Sequence, residues 1–192
     1  AARLTDRPLR PLFPKGFINE TIVSINVLSY DCENEPEVLG TIGASAALAI
    51  SDIPWDGPVA SISIGRIDGK FIVNPSPEQL ETSDMSMVVS GTADSIVMVE
   101  GVSNFISEDD VLSAIEYAHG VIKDIVAAQV ELAKECGQPK REVKVAEENV
   151  ELHKKIDEVI KDDYKSLNEP KNKAERYGQI DEYVDGIISQ FE

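Results

Sequence analysis

Cysteine is almost missing from this chain: Cys32 and Cys136 are the only two in 192 residues. They form neither a disulfide framework nor a metal-ligand pair of useful spacing, so a reducing compartment is expected, the cytosol by default. Long apolar runs are missing too. No stretch approaches the ~18 residues that a membrane-spanning helix needs, and the N-terminal AARLTDRPLRP lacks the apolar core of a signal peptide. Neither of the glycine-rich phosphate cradles, GxGxxG or GxxxxGK[ST], occurs. Positive charge is scarce, with 18 Lys and Arg against 35 Asp and Glu and a net charge of −17. That balance excludes a broad nucleic-acid groove built by this chain alone. What remains, 42% hydrophobic and 28% charged residues, is the composition of a globular chain.

The little basic charge present is unevenly placed. Residues 1–17 carry Arg3, Arg7, Arg10 and Lys15 against Asp6 alone, whereas residues 16–65 contain seven acids and no Lys or Arg. A small positive site on an acidic body is therefore possible.

Prolines at 8, 11 and 14 bar a long regular helix at the N-terminus and predict a short helical turn followed by a turn at 14–16. In TIVSINVLS, residues 21–29, β-branched residues alternate with polar ones and predict a strand. Pro36 suits the first position of a helix, EVLGTIGASAALAIS, whose Gly40, Gly43, Ala44 and Ala47 predict a central, buried element. Residues 59–67 and 70–73 form a hairpin around Asp68 and Gly69. NPSPEQLETSD reads as a loop with a helical turn, and residues 85–90 and 95–100 as two further strands. Ser107 with Asp110 caps a long helix over 108–135, with apolar positions 111, 115, 118, 122, 125 and 132. Beyond 140 the chain turns charged and strand-free. Residues 144–167 and 173–191 predict two helices broken at 168–170, joined by a small mutual core of Val150, Ile156, Val159, Ile160, Tyr177, Ile180, Tyr183, Val184 and Ile187.

Catalytic signals are thin. His119 and His153 have no local Ser, Cys or carboxylate arrangement that spells a triad. His119 reads best as a residue satisfied by a neighbouring backbone group. Glu78, Glu81, Asp84 and Asp94 cluster near one loop and could in principle hold Mg²⁺, although such clusters are usually solvated loops.

RLTDRPLRPLFPKGF, IGASAALAISDIPWDGPVA, GRIDGKFIVNPSPEQLETSDMSMVVSGT and IVMVEG resemble, in this order and spacing, the first ribonuclease-PH-like domain of the polynucleotide phosphorylase family. The match covers residues 3–136, and NKAERYGQIDE resembles the family's all-helical linker. The resemblance implies an α+β fold with a mixed sheet and packed helices, ribonuclease-PH-like and similar to domain 2 of ribosomal protein S5. It places this core at 1–140 and an all-α domain at 141–192, both cut from a longer chain. A family member would also carry an arginine-bearing FFRR-like loop, a second, catalytic core domain and two RNA-binding modules.

For that parent, the resemblance implies a cytoplasmic homotrimer without membrane attachment that degrades messenger RNA from its 3′ end. Inorganic phosphate attacks the terminal linkage to release nucleoside diphosphates, with Mg²⁺ as cofactor and degradosome proteins as candidate partners. Within this chain the resemblance assigns no catalytic and no metal-binding residue. Where the family's catalytic domain reads roughly GDEDHLGDMDFKVAGT, this chain reads PEQLETSDMSMVVSGT. Asp84 keeps one carboxylate and Glu78 mimics another at best, while Ser86 replaces the next acid and Val88 the lysine. The chain alone is expected to be inactive, serving trimer assembly and RNA threading. Its RNA contact is placed at Arg7 and Arg10, three residues apart and so on one side of a helical turn. The competing reading has both arginines brace the fold by pairing with Asp6, Asp52 or Asp56. Two other classes stay open: a structural domain without RNA contact, and an independently active ribonuclease-PH-like subunit.

Overall fold

The computed structural model describes residues 2–144, 149–160, 167 and 172–191. Helix α1, Ala2–Leu9, contains Pro8, which cannot donate to the helical ladder, and the chain passes at once into a 3-10 turn at Arg10–Leu12. Helix α2, Pro36–Ile50, starts on its proline as expected, because the first helical N–H has no partner to lose.

Four strands follow: β1 Ala60–Ile67, β2 Lys70–Val73, β3 Met85–Gly91 and β4 Ile96–Ser103. They form one sheet in the order β2-β1-β3-β4. All three pairings are antiparallel, so the mixed character expected of the sheet is absent among the described residues. The β1–β2 turn is the expected one, with Asp68 at φ 51° and Gly69 at φ 74°, the double left-handed geometry of a tight hairpin. Helix α3, Pro77–Thr82, lies between β2 and β3 and opens on a capping box of Ser76 and Gln79.

Helix α4, Glu108–Cys136, begins where the sequence placed it, with Ser107 Oγ accepting from the Asp110 N–H at 3.1 Å. Its buried stripe is Ala114, Ala118, Ile122, Val126 and Gln129, which keeps the expected 118 and 122; Val111, Ile115 and Ile125 pack half-buried against the same core, and Leu132 is exposed. Alanines at the contact let the helix lie close on the sheet, against Ile62, Ile64, Met85, Met87 and Val89. Register aligns Ile62 with Val89 and Ile64 with Met87, so one face of β1 and β3 is a continuous apolar plate. Each fully buried aliphatic side chain there is worth roughly 1.5–3 kcal/mol. A second cluster joins α1 to α2 through Leu9, Ala44, Leu48, Trp55 and Val59. Gly57 is required beside it, since a Cβ there would lie 2.1 Å from the Trp55 ring.

Two expectations need correcting. Residues 21–29 form no strand: Ile22 is 78% exposed and Leu28 96%. Their alternation has no partner strand among the described residues, and an unpaired backbone edge is not a sheet. Helix α2 buries only one face, through Val38, Thr41, Ala44, Ser45 and Leu48, while Gly43 and Ala47 are exposed.

The chain divides into two compact units, Ala1–Val145 and Ala146–Glu192. The second contains α5, Val150–Ile160, and α6, Lys173–Ile188, which Asn172 caps by accepting from the Glu175 N–H at 3.0 Å. Neither helix has a buried residue. Of the expected mutual core, Ile156, Val159, Ile160, Ile180, Tyr183 and Ile187 are half-buried, whereas Val150, Tyr177 and Val184 are exposed. The Tyr183 hydroxyl donates to the Ile160 carbonyl at 3.3 Å. The expected break at 168–170 lies outside the described residues. No helix among the described residues is long and apolar enough to cross a membrane.

Candidate functional site

The basic block is built on α1. Thr5, Pro8 and Leu9 turn inward, and the Leu9 carbonyl accepts the Trp55 indole N–H at 3.0 Å, which fixes the helix on the core. Arg3, Arg7, Asp6 and Arg10 are left outward. Arg7 pairs with Glu100 on β4, and Arg3 approaches the same carboxylate at 3.8 Å. Arg10 turns back to Asp6 instead, holding its two oxygens at 2.6 and 3.2 Å. The hydrogen bond and the charge of Asp6 raise the Arg10 pKa further above an already high value, so its charge is permanent at any working pH.

One of the expected bracing pairs forms and the others do not. Asp6 is used by Arg10, but Arg7 takes Glu100, and Asp52 pairs with Arg141 at 3.1 Å. Glu100 lies 93 residues from Arg7 in sequence, and no local spacing signals it. Arg7 and Arg10 are both substantially exposed, at 41% and 76% of their side chains. Each guanidinium therefore keeps N–H groups facing solvent that an RNA phosphate could reach.

Beside this block lies an apolar groove of about 760 Å³ between α1, α2 and residues 19–27. Leu9, Phe13, Phe17, Val23, Ile25 and Leu48 line it, with Asp6 and Arg10 among its polar residues.

The second candidate is the corner around Asp84. Asp84 is engaged by Arg66, whose Nη1 donates to Asp84 Oδ2 at 2.9 Å, while Nη2 donates to Asp110 Oδ2 at 3.3 Å. Glu78 and Glu81 sit exposed on α3, and Asp94 is exposed in the β3–β4 turn. No group of three His, Cys, Asp or Glu residues able to hold a metal occurs among the described residues. The donor set thus does not fit the divalent metal implied for the parent: its one retained carboxylate is already paired with a side-chain cation. His119 behaves as expected of a structural histidine, with Nε2 at 3.1 Å from the Thr92 carbonyl. His153, Cys32 and Cys136 are exposed.

The profile of the 3′ exoribonuclease family, domain 1, matches residues 1–54, and that of the same family's domain 2 matches residues 57–121. The chain belongs to the 3′ exoribonuclease family. Both matched segments lie inside one compact unit. The chain is 57% identical over 162 residues to the polyribonucleotide nucleotidyltransferase of Thermomicrobium roseum, covering 84% of this chain and 20% of that protein. It is 44% identical over 187 residues to the enzyme of the same name from Citrifermentans bemidjiense, covering 97% of this chain and 27% of the relative. The Geobacter strain M21 enzyme gives 44% over 194 residues, 99% of this chain and 28% of the relative. The chain thus spans about a fifth to a quarter of these relatives. Among solved structures, rice (Oryza sativa) Rrp46 aligns with a TM-score of 0.42 and 16% identity, over 53% of this chain and 46% of that one.

Proposed function

We propose that this chain is the non-catalytic first core domain of a polyribonucleotide nucleotidyltransferase. The enzyme would be a magnesium-dependent, cytoplasmic homotrimer that shortens messenger RNA from the 3′ end by phosphorolysis, yielding nucleoside diphosphates. The relatives' names and the two family matches support the enzyme class. One observation carries the non-catalytic reading: Asp84, the carboxylate retained where the family places a metal ligand, is spent on Arg66. In-line attack by phosphate needs fixed cations that absorb developing charge. Here Val88 stands where the family has lysine, and the nearest guanidinium is neutralised by two carboxylates.

Arg7 and Arg10 are the RNA contact in this reading. Arginine suits the role because its planar fork can hold phosphate oxygens through two hydrogen bonds. The pairs to Glu100 and Asp6 favour the second reading, in which the block only braces the fold. Salt dependence separates the two. With the Arg7→Ala, Arg10→Ala variant of this chain and single-stranded RNA, loss of two phosphate contacts lowers the salt slope of binding by about 1.4 units. Preference among RNA sequences stays the same. An unchanged slope in a folded variant assigns both arginines to the fold alone.

A further inference from the structure

Arg66 closes β1 and meets two other parts of the chain. Its backbone N–H donates to Ser83 Oγ at 2.8 Å, and its carbonyl accepts from Ser83 Oγ and from the Asp84 N–H, each at 3.0 Å. These bonds seat the turn that opens β3. The side chain lies on the same face of β1 as Ile62 and Ile64, the face that α4 covers. There its guanidinium reaches Asp84 and Asp110 together, at 2.9 and 3.3 Å. Asp110 is fixed in turn by the α4 cap, since the Ser107 hydroxyl donates to the same Oδ2 at 2.8 Å. Arg66 is the more buried member, 17% exposed against 39% and 40% for the two acids.

A single fixed positive charge therefore bridges two carboxylates delivered by different elements, which is the electrostatic work that a bound cation would otherwise perform. The bridge is not a fork on one carboxylate: Asp84 Oδ1 and Arg66 Nε are buried and without a hydrogen-bond partner. One guanidinium N–H goes to each acid. That division ties the β1 end and the β3 start to the first turn of α4.

We propose that Arg66 is a built-in cation, whose guanidinium occupies the position between Asp84 and Asp110 that a divalent metal would need, so that this corner is locked by an internal ion triad and takes no metal. The inference deepens the non-catalytic reading, with which it shares the Asp84–Arg66 pair, and stands if the RNA contact fails. It also makes Arg66, and not either acid, the residue that keeps metal out. Removing the guanidinium while keeping a side chain of similar reach should turn the vacated carboxylate pair into a cation site.

The test uses this chain, with Mn²⁺ as a paramagnetic probe of backbone amides. In the wild type, Mn²⁺ causes no saturable broadening of the Asp84, Met85 and Asp110 resonances. Arg66→Gln gains such broadening, and adding Asp84→Asn to that variant removes it. Arg66→Met serves as a second vacating variant should the glutamine variant fold poorly. Saturable broadening at Asp84 in the wild type overturns the proposal, because metal then enters beside the arginine. A folded Arg66→Gln or Arg66→Met chain that gains no broadening overturns it as well, since something other than the guanidinium then excludes the metal.

Discussion

Residues 21–29, TIVSINVLS, and strand β1, ASISIGRI, carry much the same alternation of β-branched and small polar side chains, yet end in opposite environments. In β1, Ile62 and Ile64 are fully buried, and the strand is paired on both edges, by β2 and by β3. In the other segment Ile22 and Leu28 face solvent, and no strand pairs with it among the described residues. Its other alternates, Val23, Ile25 and Val27, line the groove beside α2, where Ile25 lies over Gly40, yet they too stay exposed. Alternation thus encodes the capacity to join a sheet. Burial comes only from a neighbouring strand and a covering helix, which is why strand propensity depends so strongly on context.

The sharpest way to break this comparison is truncation on both sides of it. Ile64→Ala removes a fully buried side chain from the plate under α4 and should destabilise the fold by about 3 kcal/mol, read from urea unfolding. Leu28→Ala should stay within about 0.5 kcal/mol, as exposed substitutions do. Equal effects would show that residues 21–29 are packed in solution.

The helical tail extends the contrast. Helix α4 has five buried residues and α5 and α6 have none, so amides of α5 and α6 should exchange with solvent much faster than those of α4 between Ala114 and Val126. Protection of α6 equal to that of α4 would contradict this.

A smaller effect is expected at the segment that follows α4. The Lys140 ammonium donates to the carbonyls of Leu48, Ala49 and Ser51 at 2.7, 3.0 and 2.7 Å, closing the C-terminus of α2. Lys140→Met should cost about 1 kcal/mol and raise amide exchange at Gln138 and Arg141, whose N–H groups donate to the Ile50 and Asp52 carbonyls. Unchanged exchange there would show that the backbone bonds suffice.

The smallest effect is local. Asp31 is held well below the ordinary 3.8, at about 2, chiefly because the Asn34 N–H and side chain and the Glu33 N–H donate to it. A depressed folded value means that its ordering of residues 31–35 is complete above the ordinary value and is lost as pH falls through about 2. A carboxyl titration observed by NMR should show a midpoint near 2, whereas one near 3.8 would mean that this turn is not formed.

What was legible in the sequence is what local chemistry decides. The Asp68–Gly69 turn, Pro36 opening α2 and the Ser107 cap each depend on residues within a few positions. The α4 stripe was legible only in part: Ala118 and Ile122 are at its centre, but the neighbouring Val111, Ile115 and Ile125 are apolar too and end half-buried, while Ala114 and Val126 are buried. The partners at the two candidate sites were also hidden. Glu100 for Arg7 and Asp110 for Arg66 lie 93 and 44 residues away, and only the packing of α1 and α4 against the sheet brings them together. Asp84 could be read as a leftover carboxylate, but the cation that neutralises it could not.

Phosphate-dependent release of nucleoside diphosphate from poly(A) by this chain in Mg²⁺ tests the non-catalytic reading most directly. The account predicts no release above a phosphate-free control, with or without Asp84→Asn. Processive release that disappears on Asp84→Asn would contradict it, by showing that the Arg66 corner is a working catalytic centre.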